Sequence, residues 1–270
     1  MSHSKDSNDF MKDKSFVLWF DRIGMEDTSL VGGKNASLGE MYSNLKSVGI
    51  KIPNGFTVTS LSYNYFISFN HLKEKISKIL KGINTKDVKS LQGSGKKIRE
   101  LILNGNFPSD LQNAIEESYE LLKKDDKSNS DVAVRSSATT EDLIGASFAG
   151  QQETYLNVEG KDELMEAIRK CFASLFTDRA ISYRQDKGFN HFDIALSVGV
   201  QKMVRSDMGS SGVAFTLDTE TGFDGAIIIN GAFGLGELIV QGEVVPDEWI
   251  LFKEGLRRDF PSIISNSSGA

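Results

Sequence analysis

The spacing of apolar residues changes near Gly188, and this change constrains the fold more than any other feature of the sequence. Before that glycine, long stretches repeat apolar residues at helical spacing, the longest of them over residues 161–187. After it, short apolar runs alternate with polar turns, as in an antiparallel sheet. The pattern predicts an α+β fold with a helix-rich first lobe over residues 15–190 and a sheet-rich second lobe over residues 191–270.

Short β-type runs and further helices are expected inside the first lobe. A helix is predicted directly after Gly32-Gly33. Strands are predicted at Phe16–Phe20, Phe56–Thr59, Val132–Val134 and Thr154–Val158, and helices near 60–81, 85–104 and 109–124. Residues 1–14 are polar and are expected to be a disordered leader. The last segment starts as a strand at Ser262–Ser265 and then stops, so we expect a truncated domain.

Composition excludes several classes of protein. The single cysteine, Cys171, allows neither an internal disulfide nor a metal–thiolate site, which fits a cytoplasmic protein. The net charge is −6 and no basic stripe appears, which argues against nucleic acid as a partner. No run reaches the roughly 18 apolar residues that a membrane span requires, so a membrane protein is not expected.

A glycine pair followed by a lysine lies where the first long helix is predicted to begin. Gly32 and Gly33 permit close approach of the backbone to an anion, and Lys34 adds a mobile positive charge. The start of a helix also offers unpaired N–H groups. A phosphate cradle is one interpretation, and a tight turn with a solvated lysine is the other.

A second candidate follows the predicted strand Val132–Val134. Arg135 is expected at the end of that strand, in a turn rich in Ser and Thr, and a guanidinium can hold two phosphate oxygens at once. A hydroxyl-rich turn without a ligand is the alternative. Further along the chain, Ser147–Thr154 has the small residues of a flap that could cover a phosphate chain. Glu237, after Gly234 and Gly236, is either a ribose or metal partner or a surface acid.

The segment Gln92–Lys97 resembles a Walker A loop but does not meet its requirements. The position that needs the first glycine is Ser90, and Lys96 is followed by Lys97 instead of Ser or Thr. We therefore predict a solvated turn without a phosphate.

Taken in order, the candidate segments resemble the phosphoenolpyruvate synthase family. The resemblance covers about residues 16–265 and is carried by the runs Val31–Met41, Val134–Asp142, Ala146–Asn157, Val200–Asp207 and Gly234–Glu248. It implies an ATP-grasp-like, two-lobed nucleotide-binding domain. That domain passes a phosphoryl group from ATP to a histidine on a second domain, and a C-terminal barrel delivers the group to pyruvate. The implied products are phosphoenolpyruvate, AMP and phosphate.

The resemblance also implies roles for particular residues. Lys34 and Arg135 would be the catalytic cations that contact the triphosphate, and Glu237 would lie near the nucleotide. The loop over the phosphates would include Gly150, Gln151 and Thr154, and the adenine pocket would be lined by Gln201, Met203 and Val204, with backbone groups at a strand edge reading the base.

The sequence also departs from the family pattern. The acidic strand and the Gln-x-Arg-Pro segment that hold Mg²⁺ and the γ-phosphate in the family do not occur before Ala270, nor do the histidine and pyruvate-binding domains. We therefore expect an incomplete domain, metal ligands beyond residue 270 and no turnover by this stretch alone. A rifampicin phosphotransferase, a pyruvate phosphate dikinase relative and a stand-alone, non-catalytic nucleotide-binding module remain alternatives.

Overall fold

Helices and antiparallel sheets both contribute to the fold, which is α+β as the sequence predicted. The computed structural model describes residues 12, 14–124, 131–139, 153–258 and 262–269. The chain divides into two compact units, Met1–Met203 and Val204–Ala270. Among the described helices, none combines the length and apolar character needed to cross a membrane.

The first unit contains one sheet and seven described α-helices. Its strands are β1 (Val17–Trp19), β2 (Gly55–Val58), β3 (Val132–Ala138), β4 (Thr154–Val158) and β5 (Leu196–Lys202). They form an antiparallel sheet in the order β1-β2-β5-β3-β4. Its helices are α1 (Thr28–Leu45), α2 (Ser60–Phe69), α3 (Leu72–Leu80), α4 (Val88–Leu103), α5 (Ser109–Lys124), α6 (Lys161–Ser174) and α7 (Asp178–Lys187).

The two faces of this sheet carry different side chains, because successive strand residues point to opposite sides. One face supplies Phe56, Val134 and Val198 to the main hydrophobic core, which also includes residues of helices α2 to α7. The other face carries small and polar residues such as Thr57 and Ser197, and helix α1 packs against it. Small side chains allow the helix backbone to approach the sheet closely.

A second, smaller core anchors α1 to the β1 side of the sheet. It contains Leu18 and Phe20 together with Val31 and Ala36 of the helix. The helix is kinked at Gly32, whose φ of 73° and ψ of 159° are not helical. Helix α1 therefore consists of two helical segments that meet at this glycine.

The second unit is a four-stranded antiparallel sheet with two short helices. Its strands are β6 (Ser210–Phe215), β7 (Ala226–Phe233), β8 (Asp247–Phe252) and β9 (Ile263–Ser267), in that order, and its helices are α8 (Glu237–Gln241) and α9 (Lys253–Arg257). The Lys253 ammonium donates to the carbonyls of Thr216 and Asp224, each at 2.5 Å, and so ties the turn between β6 and β7 to α9.

The structure differs from the predicted boundary between the lobes. Strand β5 was assigned to the second lobe, but it pairs with β2 and β3 in the first sheet, and the division falls at Met203. The change in apolar spacing near Gly188 marks the end of the last helix of the first unit, and the unit itself continues to Met203.

Three local predictions also need correction. Strand β3 continues through Arg135 to Ala138, so Arg135 lies within a strand and not in a turn after it. The segment Gln92–Lys97 lies inside helix α4 and is not a turn. The predicted long helix over 161–187 is interrupted after Ser174, and Thr177 caps α7 by accepting from the Ala180 N–H at 3.3 Å. Of the predicted leader, residues 1–11 and 13 lie outside the described residues.

Candidate phosphate-binding site

The glycine at the kink of α1 is required by its surroundings. Gly32 has a positive φ, and a Cβ built there would lie 2.8 Å from the Ser137 carbonyl oxygen and 2.9 Å from that of Ala138. A side chain at this position would therefore collide with the main chain of β3. Because helical geometry resumes after Gly32, the N–H groups of the next residues form the start of a helix, where anions are favoured.

A buried polar network fastens this part of α1 to the sheet. The Asn35 amide, 2% exposed, donates to Thr57 Oγ1 at 3.0 Å and to Ser197 Oγ at 3.1 Å. The Ser197 hydroxyl in turn donates to the carbonyl of Val31. The network therefore joins α1 to β2 and β5 on both sides of the Gly32 kink.

Arg135 projects from the middle of β3 on the same face of the sheet. It lies opposite Gly199 of β5, and a Cβ built on Gly199 would overlap the Asn35 side chain of α1. Directly opposed residues of an antiparallel pair point to the same side, so Arg135 belongs to the face that α1 covers. The side chain is exposed, yet the protein around the guanidinium lowers its pKa by desolvation. Arginine nevertheless remains charged at any physiological pH.

Lys34 follows the Gly32 kink in the helix that covers this face, and Arg135 projects from the face itself. Lys34 is exposed and immediately precedes Asn35, whose side chain rests on the backbone of Gly199, the residue opposite Arg135. The main hydrophobic core lies on the other face of the sheet. Two cations and a helix start on one face can bind a polyanion such as a phosphate chain.

The residues expected in the covering loop are described only in part. Thr154 begins β4 and lies directly opposite Arg135, so it shares the same face. Its strand is joined to β3 next to this pair, where the Glu153 N–H donates to Ser136 Oγ at 3.0 Å. Gly150 and Gln151 lie outside the described residues.

The residues expected around adenine are not all at a sheet edge. Gln201 is on the Arg135 face, but β5 is a central strand and the Gln201 side-chain amide donates to the Pro53 carbonyl at 3.1 Å. The backbone of Gln201 is therefore between two strands, unlike the free edge that the sequence led us to expect. Met203 follows the end of β5, and its N–H donates to the Asp131 carbonyl at 3.2 Å.

Two of the expected site residues belong to the second unit. Val204 is its first residue and is 60% exposed. Glu237 begins helix α8, is exposed, and accepts a hydrogen bond from the Gln241 amide at 2.9 Å. An intrahelical bond of this kind suits a surface acid, and the role of Glu237 near a nucleotide stays a prediction.

The buried network of Asn35, Thr57 and Ser197 was not among the expected site residues. A signal for it exists in strand β5, where the apolar Leu196, Val198 and Val200 alternate with Ser197, Gly199 and Gln201. That alternation indicates a strand with one small and polar face. It does not show which helix covers the face.

The described residues do not by themselves form a metal site. Within the described ranges, no group of three or more His, Cys, Asp or Glu residues could hold a metal ion. The side chains that β3 and β5 place beside Arg135 are Ala133, Ser137, Ser197, Gly199 and Gln201, and none is a carboxylate. Mg²⁺ prefers carboxylate oxygens, so these five positions offer it no such ligand.

Comparison with known proteins identifies the family of this chain. Residues 28–269 match the family described as pyruvate phosphate dikinase, AMP/ATP-binding domain. Because the match covers most of the sequence, the chain belongs to this family.

Individual relatives point to one branch of enzymes. The chain is 58% identical over 259 residues to the phosphoenolpyruvate synthase of Aquifex aeolicus, which covers 96% of the chain and 30% of the relative. It is 51% identical to the phosphoenolpyruvate synthase of Synechocystis and 49% identical to that of Escherichia coli, covering 96% and 94% of the chain and 32% of each relative. The chain thus spans about a third of the length of these curated relatives.

Proposed function

We propose that this chain is an ATP-binding domain that supplies the nucleotide site of a phosphoenolpyruvate synthase. The observation that supports the proposal is that the helix segment carrying Lys34, which restarts after Gly32, covers the sheet face from which Arg135 projects. The family match and the names of the relatives support the same reading.

The proposed roles follow from the chemistry of each group. The helix start and Lys34 attract the triphosphate, and the Arg135 fork holds two oxygens of one phosphate group. Both cations would also stabilise charge on the transferred phosphoryl group, because catalysis of phosphoryl transfer is mostly positioning and electrostatic stabilisation. Thr154, opposite Arg135, offers a hydroxyl to the same phosphate chain.

The remainder of the reaction belongs to the proposal and rests on the relatives. ATP would phosphorylate a histidine on another domain, and that group would pass to pyruvate to give phosphoenolpyruvate, with AMP and phosphate as the other products. When bound, Mg²⁺ would neutralise charge on the phosphates. We also propose that the two units are the lobes of an ATP-grasp-like fold, since each contains an antiparallel sheet.

Isothermal titration of the purified chain with ATP and AMP tests the nucleotide site. A charge-assisted hydrogen bond contributes about 1.5–3 kcal/mol, so Lys34→Ala and Arg135→Ala should each weaken ATP binding roughly tenfold or more. The same substitutions should weaken AMP binding much less. Arg135→Lys should not restore ATP affinity, because a point charge cannot reproduce the two-pronged contact.

Matched control variants separate this effect from a general loss of charge. Lys96 lies on the exposed side of α4, and Arg257 is an exposed arginine of α9 paired with Glu254 at 2.8 Å. Lys96→Ala and Arg257→Lys should leave ATP affinity unchanged. The proposal is wrong if the wild-type chain does not bind ATP, or if the control variants weaken binding as much as the site variants.

A further inference from the structure

A single buried hydroxyl holds both ends of the segment that presents Lys34. Ser197 Oγ accepts from the Asn35 amide at 3.1 Å and donates to the carbonyl of Val31. Val31 precedes the Gly32 kink and Asn35 follows Lys34. The segment between them, Gly32-Gly33-Lys34, is therefore closed into a loop whose two ends meet at one atom of strand β5.

The same network reaches a second strand and the position of Arg135. The Asn35 amide also donates to Thr57 Oγ1 of β2 at 3.0 Å. The Asn35 side-chain oxygen packs on Gly199, where a Cβ would not fit. Gly199 lies opposite Arg135 in the pairing of β3 with β5. The network thus fixes the segment both to the sheet and to the strand position that Arg135 faces.

We call the hydrogen bonds among Asn35, Thr57, Ser197 and the Val31 carbonyl the clamp. The clamp restricts a segment whose backbone would otherwise be flexible. Two consecutive glycines have more backbone freedom than any other residue pair, and ordering them costs more conformational entropy. A fully buried polar network has strict geometry, since every donor needs an acceptor. Asn35, Thr57 and Ser197 are at most 2% exposed, so water does not replace these bonds when one is lost.

We infer that Asn35 and Ser197 are positioning residues that hold the Gly32–Lys34 segment in the geometry that binds the nucleotide phosphates. They act through the backbone of this segment and through Lys34, and they do not touch the nucleotide. The inference rests on the proposed function for its consequence in binding. The clamp itself is a property of the protein without ligand.

Ser197→Ala removes the shared atom and is the principal test variant. Hydrogen exchange followed by mass spectrometry on the full chain, without nucleotide, should show faster exchange of the peptide that contains Gly33, Lys34 and Asn35. Ser174→Ala is the matched control, because the Ser174 hydroxyl is also buried and donates to the Cys171 carbonyl at 2.7 Å within α6. That variant should leave exchange of the Gly33–Asn35 peptide unchanged.

Binding measurements separate positioning from general stability. Ser197→Ala should reduce the preference for ATP over AMP by about five- to tenfold, since one buried hydrogen bond and its partner's desolvation are lost. On a Lys34→Ala background the same substitution should change that preference less than about twofold, because contacts that act as a unit are not additive. Ser174→Ala should leave the preference for ATP over AMP unchanged in both the wild-type chain and the Lys34→Ala variant.

A second pair of variants keeps the test decisive if Ser197→Ala does not fold. Thr57→Val removes one acceptor of the Asn35 amide, whereas Thr57→Ser retains it, so the first should reproduce the losses and the second should not.

The inference is overturned if exchange of the Gly33–Asn35 peptide is unchanged, or if ATP binding and AMP binding weaken equally. It is also overturned if the effects of Ser197→Ala and Lys34→Ala simply add. If the wild-type chain does not prefer ATP over AMP, the proposed function is wrong. The hydrogen-exchange result would still test whether the clamp orders the Gly33–Asn35 peptide.

Discussion

Replacement of Gly32 by alanine should destabilise the first unit far more than the same change at another glycine with positive φ. The φ of 73° and ψ of 159° at Gly32 lie in a region that only glycine adopts readily, and a forced residue there costs about 1–3 kcal/mol. The new Cβ would also lie 2.8 and 2.9 Å from two carbonyl oxygens of β3, and such overpacking costs about 1–3 kcal/mol. We expect a total of about 3–4 kcal/mol.

Gly49 provides the matched control for this substitution. Its φ is also positive, at 84°, but its ψ is 6° and a Cβ there would meet nothing within 4 Å. Gly49→Ala should therefore cost only the left-handed backbone penalty, about 1–2 kcal/mol. The difference between the two variants combines the close approach of α1 to β3 with the extended ψ of Gly32, which Gly49 does not share.

Thermal unfolding followed by fluorescence is a suitable assay. The chain has two tryptophans, Trp19 in the first unit and Trp249 in the second, so a Trp249→Phe background reports on the first unit alone. The two variants should differ by about 1–3 kcal/mol, and for a unit of this size each 1 kcal/mol shifts the Tm by about 2–4 °C, so Gly32→Ala should melt roughly 2–12 °C below Gly49→Ala. Equal Tm values for the two variants would refute the close contact between α1 and β3.

Three further predictions concern groups outside the phosphate site. Burial and the neighbouring Arg184 lower the pKa of His191 from 6.5 to about 4, so the unfolded state binds the proton first as the pH falls. Because solvent screens this half-buried imidazole, stability should drop by about 1 kcal/mol between pH 7 and 4.5 in urea unfolding, and His191→Gln should lose less over this range. Lys96→Ala should leave the Tm within about 2 °C, because Lys96 is 75% exposed on α4. Burial raises the pKa of the Cys171 thiol, so a thiol reagent should label the folded chain slowly and label one thiol in denaturant.

The hydrophobic pattern was sufficient to predict most elements of the first unit. The strands at β1, β2 and β4 and the helices α4 and α5 were confirmed close to their expected limits, because each has a clear apolar stripe or a short β-type run. The length of strand β3 was underestimated, because the prediction ended at Val134 and the strand ends at Ala138. Its second half reads Arg135-Ser136-Ser137-Ala138, and polar residues of this kind suit a turn as well as a strand whose polar side chains face a helix.

The pairing of strands could not be predicted from the same pattern. Strand β5 follows the last helix of the first unit and precedes the strands of the second, so its sequence fits either sheet. What assigns it to the first is its contact with β2 and β3, strands that lie well upstream of it in the chain. Local periodicity carries no information on such long-range partners.

The candidate site shows the same division between local and long-range information. Glycine and hydroxyl residues near Lys34 and Arg135 in the sequence were enough to propose both as site residues, and that role stays a prediction. The hydrogen bonds of Ser197 were not recognisable from the sequence, because its partners Asn35, Val31 and Ser137 are all far away in the chain. Similarly, the glycines of Gln92–Lys97 suggested a turn, but helix packing decided otherwise: Gly95 lies against Asp178, where a Cβ would not fit.

The most direct test of the central claim asks which lysine lies beside the nucleotide phosphates. Adenosine diphosphopyridoxal carries a lysine-reactive aldehyde on the group that replaces the terminal phosphate of ATP, and borohydride makes its attachment permanent for mass spectrometry. The account predicts that Lys34 is the principal labelled residue, that ATP protects it, and that Arg135→Ala raises the reagent concentration needed for half-labelling roughly tenfold. Principal labelling elsewhere, at Lys96 for example, or labelling of Lys34 that neither ATP nor Arg135→Ala alters, would contradict it.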